Sequence, residues 1–348
     1  LISLGSAVRI RLSLPEAYAK IIMKNILLTG GAGYIGSHIT EILIKKNYKV
    51  VITDNLSTGF KRLINKNSKF YKIDITNYKG LKKIILNNKI DTVVHLAASL
   101  SINDSKKDPK LFYKNNVLGT KILLKACKNS VVKNFIFSST AAVYKDTNKK
   151  VNENSTIKPK SVYGKTKKIA ENLIIKELKK ININYAIVRY FNVVGASSSN
   201  KIGPIKKNDT LFKNLSMSFL KKKIYMQIYG NKLKTKDGTC VRDYIHVSDL
   251  SNAHIQILKK IEQTKKSVIL NCGYSKGISV LEVIKSFEQF TKEKIIIQYK
   301  KRRPGDLIFS IADNSKLKRF IKWAPKYNNL KKMIKSSIDW EKKLKKIS

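Results

Sequence analysis

Two side chains suited to proton transfer, Tyr163 and Lys167, stand four positions apart in the middle of the sequence. The residues from Tyr163 to about Lys180 have the pattern of a helix, so both side chains are predicted to share one helix face. An ammonium group beside a phenol lowers the pKa of the phenol, and Tyr163 is therefore predicted to act as a base near neutral pH. Thr140 follows an apolar, strand-like segment and is expected to donate to the substrate oxygen or relay its proton.

The elements that must hold these residues begin with a glycine loop. Gly30, Gly33 and Gly36 follow a short apolar segment, 23–29, and precede a segment with helical spacing of its apolar residues, 37–45. This order is typical of dinucleotide sites, because glycine lets the backbone approach a pyrophosphate and the helix N-terminus offers unpaired N–H groups. In so lysine-rich a chain the tyrosine–lysine spacing alone also fits a solvated helix face. Together with the loop, it favours hydride chemistry at a carbinol carbon.

The next predicted strands end in residues that fit the same cofactor. Asp54 ends the second strand, where a carboxylate binds both ribose hydroxyls and repels a 2′-phosphate, which favours NAD over NADP. Asp74 and Ile75 follow the third strand and are placed to contact the adenine. Ala97 follows the fourth and is small enough for a cofactor to pass close by. His95 in that strand is interpreted as a packed histidine.

Alternating strand and helix patterns predict an α/β fold with a doubly wound, Rossmann-like parallel sheet, and the less regular second half predicts a smaller α/β substrate-binding lobe. We expect an NAD-binding domain at 23–192, with a returning segment at about 240–272. The lobe is expected at 193–239 and 273–348. Residues 1–22 match neither part, and a disordered extension or a start-site artefact is favoured over a targeting peptide.

Composition limits the class of protein. The 348 residues are 43% hydrophobic, which allows a sizeable core, and no apolar run is long enough for a membrane span. Cys127, Cys240 and Cys272 lack paired spacing, which indicates a reducing, cytoplasmic location, and no metal site is expected. The net charge of +48 is typical of nucleic-acid or anionic-surface binders. The lysines are scattered, however, and accompany abundant asparagine and isoleucine, so A/T-rich codon drift is favoured and no specific nucleic-acid partner is expected.

Longer segments resemble the extended short-chain dehydrogenases/reductases and, within them, the UDP-glucose (UDP-galactose) 4-epimerases. The similarity covers the chain from Met23 to about Trp340. The stretch at 237–247, DGTCVRDYIHV, is much more specific to the epimerase group than the other segments. Those segments are 28–38, 54–56, 115–120, 135–140, 161–165, 189–192 and 302–306.

The resemblance implies hydride transfer from C4 of a UDP-hexose to a tightly bound NAD, rotation of the 4-keto sugar, and return of the hydride to its other face. It implies that Tyr163 is the acid/base at the 4-hydroxyl, with Thr140 beside it, and that Lys167 binds the nicotinamide ribose. Further implied cofactor contacts are Tyr34, Ile35, Asn55 and Asn115, and implied substrate contacts are Asn192, Arg242, Arg303, Asp306 and Ser310. We also expect a homodimer.

The same resemblance bears on substrate and reaction. In these epimerases the position of Ser310 borders the sugar C2 substituent, and a small residue there goes with acceptance of N-acetylhexosamines. Related 4,6-dehydratases need an acid pair where this chain has Ala141 and Ala142. Departures from the family pattern occur at Leu100, Lys145, Val193 and Asp209–Thr210. Alternatives that stay open are a uronate or pentose epimerase, a non-catalytic NAD sensor, and a basic nucleic-acid binder with a vestigial site.

Overall fold

A parallel sheet of seven strands forms the centre of the computed structural model, which describes residues 24–205, 210–221, 225–303 and 306–347. In chain order these strands are β1 (Asn25–Thr29), β2 (Lys49–Asp54), β3 (Lys69–Lys72), β4 (Thr92–His95), β5 (Asn134–Thr140), β6 (Asn184–Tyr190) and β11 (Val268–Cys272). They lie in the order β11-β6-β5-β4-β1-β2-β3, and each pairing is parallel. The extension expected at residues 1–22, and Asp209, lie outside the described residues.

Strand β1 shows why these segments form a buried sheet. Successive side chains of a strand point to opposite faces. Ile26 and Leu28 pack into the core on one face, and Leu27 packs into the core on the other. All three side chains are fully buried. Such continuously apolar strands require a layer of helices on each face.

Helices cover both faces, which confirms the predicted doubly wound, Rossmann-like α/β fold. One face carries α1 (Tyr34–Lys45), α8 (Val247–Thr264) and α10 (Ser315–Ile321), and the other carries α2 (Tyr78–Asn87), α5 (Gly119–Cys127) and α6 (Val162–Lys180). Two short helices, α3 (Ile102–Lys107) and α4 (Pro109–Phe112), lead through a π-helical turn (Tyr113–Leu118) into α5. Short 3₁₀ turns span Lys61–Leu63 and Ala141–Val143.

Helix α1 begins at Tyr34, earlier than the predicted start at Ser37. The prediction followed apolar periodicity, and the glycine within the first turn interrupts that pattern. Gly36 is required there, because a Cβ at this position would lie 2.4 Å from the carbonyl oxygen of Gly30. The first turn of the helix therefore packs directly on the glycine loop.

A lobe of shorter elements starts directly after β6. Its strands are β7 (Asn192–Val194), β8 (Tyr225–Tyr229), β9 (Val241–Arg242), β10 (Tyr244–His246), β12 (Ile278–Ser279), β13 (Ile296–Lys300) and β14 (Phe309–Ser310). Its helices are α7 (Leu211–Leu220), α9 (Val280–Thr291) and α11 (Leu330–Ile347). The strands form three small sheets, β10-β7, β12-β9-β14 and β13-β8, and the chain returns through α8 and β11 to the main sheet. The exact domain boundaries stay a prediction.

Three further observations concern the described residues. None of their helices is both long and apolar enough to cross a membrane. Cys127, Cys240 and Cys272 are buried and free. Within the described ranges, no group of three His, Cys, Asp or Glu side chains is suited to a metal ion.

Candidate active site

The carboxyl ends of β1 and β4 meet where the strand order reverses, with β2 and β3 on one side and β5, β6 and β11 on the other. Such a reversal opens a crevice that binds ligands in doubly wound sheets. Gly30 follows β1 with a φ of +73°, and a Cβ on it would lie 2.7 Å from the backbone nitrogen of Ala97, which follows β4. Since only glycine permits this approach, the two loops meet at the floor of the crevice.

The N-terminus of α1 belongs to the same crevice. Gly33 is its N-cap and supplies no side-chain hydrogen bond, which leaves first-turn N–H groups for a ligand. The Ile35 side chain packs against the core, and the Tyr34 hydroxyl donates to the carbonyl oxygen of Gly195 at 2.5 Å. Tyr34 and Ile35 therefore offer a pyrophosphate their backbone rather than their side chains. The glycine cradle and the uncapped helix end fit the predicted dinucleotide.

The predicted ribose carboxylate, Asp54, stands at the end of β2 and is held by two backbone donors. Its oxygens accept from the N–H of Ala32 at 3.1 Å and from the N–H of Leu56 at 2.8 Å. Partial burial raises the pKa of Asp54, and these two hydrogen bonds oppose the rise. A Cβ on Gly59 would lie 2.9 Å from each carboxylate oxygen, so a glycine lets the loop close around this group.

The predicted adenine contacts are engaged largely within the protein. Asp74 accepts from the Asn55 side chain at 2.8 Å, and from the Thr76 N–H and hydroxyl at 2.9 and 2.6 Å. Ile75 is buried against Gly119, where a Cβ would lie 2.6 Å from its side chain. These contacts join the loop after β3 to the loop after β2, so the loops that carry Asp54 and Asp74 form one wall of the crevice.

The structure brings Tyr163, Lys167 and Thr140 together at the carboxyl end of β5. Tyr163 and Lys167 lie one turn apart on α6, and the Thr140 side chain lies within reach of the phenol, whose pKa it lowers. Lys167 is 2% exposed, and its ammonium lies 4.5 Å from the centroid of the Phe137 ring. The Phe112 ring packs edge-on against Tyr163 with 6.4 Å between centroids. An acid/base, a cation and a hydroxyl therefore share one largely buried corner of the crevice.

The charges in this corner differ from the sequence-based expectation. Burial raises the pKa of Tyr163 to about 12, against the lowering effect of the Thr140 hydrogen bond. Burial also lowers the pKa of Lys167 to about 7, although Glu171 raises it. The prediction that Tyr163 has a pKa near neutral is therefore wrong for the protein's own groups, because burial keeps it high despite the nearby Lys167. Loss of hydration disfavours both charged forms, and here it outweighs their mutual attraction.

The π-helical turn directs two amides toward the loop after β4. Asn115 donates to the Ser99 hydroxyl at 2.8 Å, and Asn116 accepts from the Ser99 N–H at 2.7 Å. Asn116 also donates to the Thr166 hydroxyl on α6 at 3.0 Å. Leu100, the departure from the family pattern in this loop, is 60% exposed. The loop beside the crevice is thus tied to the helix that carries Tyr163.

The contacts of His95 confirm the prediction that it is a packed histidine. One ring nitrogen is hydrogen-bonded to the Thr29 hydroxyl at 2.7 Å and the other to the Thr120 hydroxyl at 3.0 Å. Burial, with a further contribution from Lys167, lowers the pKa of His95 to about 3. The ring is therefore neutral and spans the space between β1 and α5.

Three of the predicted substrate residues lie on strands of the second lobe. Asn192 is exposed at the start of β7, and its N–H donates to the Asp243 carbonyl at 3.0 Å. Arg242 donates to the carbonyl oxygens of Val241 and Ile308 at 3.0 and 3.1 Å. Ser310 is the register partner of Arg242 in the β9–β14 pair. Paired residues of neighbouring strands project to the same face, so Ser310 and Arg242 share one side of this small sheet.

Arg303 and Asp306 stand on either side of Pro304 and Gly305, which lie outside the described residues. The Arg303 guanidinium carbon lies 3.7 Å from the centroid of the Tyr229 ring on β8. The Asp306 N–H donates to the Arg303 carbonyl at 3.3 Å. This backbone contact brings a basic and an acidic residue near each other shortly before β14.

Comparison with known proteins decides the family. The model of the NAD dependent epimerase/dehydratase family matches residues 26–273. The chain belongs to this family. A UDP-glucose 4-epimerase from Lactobacillus helveticus is 38% identical over 319 residues, which are 91% of this chain and 97% of that protein. The resemblance inferred from the motifs is confirmed.

Solved structures agree with this assignment. A UDP-glucose 4-epimerase from Stenotrophomonas maltophila, crystallised with NAD and formylated UDP-arabinopyranose, is 32% identical with a TM-score of 0.89, covering 93% of this chain and 100% of that chain. A UDP-Glc/GlcNAc 4-epimerase from Campylobacter jejuni is 35% identical with a TM-score of 0.79, covering 92% and 99%.

Sequence reasoning missed a set of buried polar residues in this epimerase/dehydratase family member. Glu171, Arg189 and Tyr144 form hydrogen bonds directly behind the Thr140, Tyr163 corner. A signal was available for Glu171, because it continues the four-residue spacing that relates Tyr163 to Lys167. Arg189 belongs to the family-like segment 189–192, but no local pattern reveals that Arg189 and Tyr144 bond to each other or that Arg189 bonds to Glu171, since these partners are distant in the sequence.

The bond between Tyr34 and Gly195 connects the glycine loop to the residue that follows β7. We expect Tyr34→Phe to lower the free energy of unfolding by about 1–3 kcal/mol, because it leaves the Gly195 carbonyl without this donor. Urea unfolding measures the change. Tyr225→Phe is the matched control, since Tyr225 is 53% exposed and should tolerate the change. Equal stabilities of the two variants would contradict the importance of this bond.

Proposed function

We propose that this protein is an isomerase that catalyses the 4-epimerisation of UDP-hexoses, interconverting UDP-galactose and UDP-glucose with a tightly bound NAD. The support is the corner formed by Thr140, Tyr163 and Lys167 beside a glycine cradle. The similarity to UDP-glucose 4-epimerases over most of the chain supports the same reaction.

The chain offers a complete set of groups to hold the cofactor. The glycine loop and the α1 N-terminus would bind the pyrophosphate, and Asp54 would bind the adenosine ribose. Lys167 would bind the nicotinamide ribose. NAD, when bound, would supply the hydride acceptor at C4, and its positive ring would favour the ionised form of Tyr163. We keep Asn115 and Ala97 as proposed contacts because they border the same loops.

Side chains of the protein accept and return the proton of the sugar 4-hydroxyl. Tyr163 accepts the proton of the 4-hydroxyl as C4 is oxidised, and it returns that proton after the 4-keto sugar has rotated. The Thr140 hydroxyl, which lies within reach of the phenol, orients the oxygen that reacts. The Lys167 cation stabilises the phenolate. Because burial lowers the pKa of Lys167 to about 7, this stabilisation is greatest below that pH and declines as pH rises.

The UDP moiety calls for cations and amides on the second lobe. Arg242 and Arg303 would bind the diphosphate, because guanidinium groups form strong charge-assisted hydrogen bonds with phosphates. Asn192 is exposed at the edge of the crevice and would add an amide contact. Asp306 would accept from the uridine ribose hydroxyls.

The residue types in the turn after Thr140 favour epimerisation over dehydration. It consists of Ala141, Ala142 and Val143 in a 3₁₀ turn, with the Thr140 hydroxyl accepting from the Ala142 N–H at 3.1 Å. Elimination of water from a 4-keto sugar needs proton donors and acceptors at these positions, and two alanines supply none. The 4-keto sugar should therefore be reduced again, which gives net inversion at C4.

Incubation of the purified protein with UDP-galactose, without added NAD, tests the proposal. We expect UDP-glucose as the product, and we expect denaturation of the protein to release NAD. A second incubation uses UDP-pentose and UDP-uronate sugars as substrates, since one similar structure holds a UDP-arabinopyranose derivative. Bound NAD with no turnover of any UDP-sugar would overturn the proposal in favour of a sensor. Bound NADP would show that Asp54 is misinterpreted.

We also propose that the protein is a homodimer formed through one flank of the cofactor domain. Helices α4, α6 and the π-helical turn pack together, and their outward faces expose Leu111, Tyr113, Leu118 and Ile169. Exposed apolar residues grouped in this way mark an interaction surface. A second copy is the favoured occupant, because one apolar patch can meet itself across a two-fold axis. A cytoplasmic location remains a prediction from cysteine usage.

Leu118→Glu is expected to convert the dimer to a monomer, because the interface would have to bury an unpaired carboxylate. Leu118 is 45% exposed, so the substitution should leave the fold intact. Sedimentation equilibrium measures the mass. Ile296→Glu on β13 is the matched control, since Ile296 is 73% exposed on the other lobe. A monomeric unmodified protein would contradict the proposed interface.

A further inference from the structure

Glu171 lies one helical turn beyond Lys167 on α6 and is fully buried. Its carboxylate accepts hydrogen bonds from the Ser139 hydroxyl at 2.6 Å and from two nitrogens of Arg189 at 2.8 and 2.7 Å. Lys168 approaches the same carboxylate at 3.5 Å. One side chain thus connects the catalytic helix to β5, through Ser139, and to β6, through Arg189.

These connections fix the relative position of the reacting groups. Ser139 immediately precedes Thr140 at the end of β5, and Tyr163 lies on the helix that carries Glu171. The bond between Ser139 and Glu171 therefore sets how the strand end sits against the helix. The distance between the Thr140 hydroxyl and the Tyr163 phenol depends on that setting.

The network also holds the segment that follows Thr140. Arg189 donates to the Tyr144 hydroxyl at 3.0 Å, and that hydroxyl donates to the Asn271 side chain at 2.7 Å. Asn271 donates in turn to the carbonyl oxygen of Val151 at 2.8 Å. Buried hydrogen bonds therefore hold the chain on both sides of Thr140, at Ser139 before it and at Tyr144 after it.

Stability alone does not account for such a network. A buried ion pair loses hydration on folding, and apolar residues of similar volume often replace it without loss of stability. The Arg189–Glu171 pair lies on the sheet face that α6 covers, the same face as Ile187, in a core that is otherwise rich in aliphatic side chains. Its position directly behind the reacting groups points to a role in the reaction.

The charges around Lys167 give Glu171 a second effect. Lys167 is faced by His95 from β4, by the Phe137 ring from β5, and by Tyr163 and Glu171 from its own helix. His95 is neutral, and Arg189 on β6 stands behind the carboxylate. Burial lowers the pKa of Lys167 to about 7, and Glu171 raises it. Among these groups, Glu171 is the anion that favours the charged form of Lys167.

We infer that Glu171 is a positioning residue that holds the Thr140 hydroxyl, the Tyr163 phenol and the Lys167 ammonium in their reactive arrangement and keeps Lys167 cationic. This role rests on the proposed 4-epimerase function. Glu171 does not touch the substrate. It fixes the relative positions of the reacting groups through Ser139 and Arg189, and its negative charge favours the protonated form of Lys167.

The test compares Glu171→Gln with Glu177→Gln, a matched control on the same helix whose side chain is 40% exposed. We expect Glu171→Gln to lower kcat about tenfold at mildly alkaline pH with little change in KM. The alkaline limb of the kcat profile should move to lower pH by about one unit, since removal of the carboxylate makes Lys167 lose its proton sooner. Glu177→Gln should match the unmodified enzyme. A lower melting temperature with unchanged kcat and pH profile would overturn the inference.

Two measurements keep the test decisive. If Glu171→Gln does not fold, Ser139→Ala removes one hydrogen bond of the network and Tyr144→Phe removes two, and both leave the Arg189–Glu171 pair intact. At least one of these variants should lower kcat several-fold; unchanged kcat in both would overturn the inference. Lysine NMR titration follows Lys167 directly, with its signal assigned by Lys167→Met. A Lys167 pKa that falls in Glu171→Gln while the unmodified protein turns over no UDP-sugar would refute the proposed function and leave the electrostatic role of Glu171 intact. An unchanged Lys167 pKa would refute that role.

Discussion

Replacing Tyr163 by phenylalanine is expected to lower kcat for UDP-galactose by about 10²–10⁴-fold, the range typical for loss of a general acid–base group. The substitution removes the oxygen proposed to accept the 4-hydroxyl proton and keeps the ring that packs against Phe112. The proposed cofactor contacts of Gly30, Asp54 and Lys167 are untouched, so NAD should remain bound. The fall should therefore appear in kcat rather than in cofactor content.

Steady-state turnover and the amount of NAD released on denaturation check this expectation together. Tyr113→Phe is the matched control, because Tyr113 is 42% exposed on the π-helical turn and lies outside the proposed site. It should keep the turnover of the unmodified enzyme. Turnover of Tyr163→Phe close to that of the unmodified enzyme would remove Tyr163 from the proposed mechanism.

Replacing Ser310 by tyrosine is expected to abolish conversion of UDP-N-acetylgalactosamine and to spare UDP-galactose. Ser310 projects to the same face of the β12-β9-β14 sheet as Arg242, the proposed diphosphate ligand. A serine leaves space beside the sugar that a phenol ring would fill. An acetamido group excluded by that ring gains no compensating contact elsewhere, whereas the smaller hydroxyl of a simple hexose still fits.

The measurement is the ratio of kcat/KM for the two substrates in each variant. Phe309→Tyr is the matched control, since Phe309 is the adjacent residue and projects to the opposite face of the strand. It should leave the ratio unchanged. If the unmodified enzyme converts UDP-galactose and shows no activity toward the N-acetylated sugar, a small residue at position 310 does not permit the acetamido group.

Local patterns were enough to predict the cofactor side of the fold. The order of a continuous apolar strand, three glycines and an amphipathic helix predicts one local backbone geometry, because each element fixes where the next one begins. The start of α1 was missed since Gly36 interrupts the apolar periodicity, although close packing on Gly30 is what requires that glycine. The spacing of Tyr163 and Lys167 likewise predicted their shared helix face.

The electrostatics and the second lobe were less accessible to the sequence. The pKa of Tyr163 depends on how much water the fold removes, and spacing along a helix carries no information about hydration. Strands β9 and β14 contain two residues each, too few for a periodic pattern, so the pairing of Arg242 with Ser310 follows only from the assembled sheet. The bonds of Glu171 to Ser139 and Arg189 join segments far apart in the chain.

The π-helical turn at Tyr113–Leu118 has a consequence for how this segment tolerates change in length. A π-helical turn holds one residue more than the α-helical turn it replaces. Deletion of Val117, between Asn116 and α5, would let α4 and α5 join as one regular α-helix with better hydrogen-bond geometry. It would also rotate Asn115 and Asn116 relative to α5 by about 100°, the angle per residue of an α-helix, and break their bonds to Ser99. The extra residue is thus a local irregularity whose removal would give a more regular helix and a less well-ordered loop after β4.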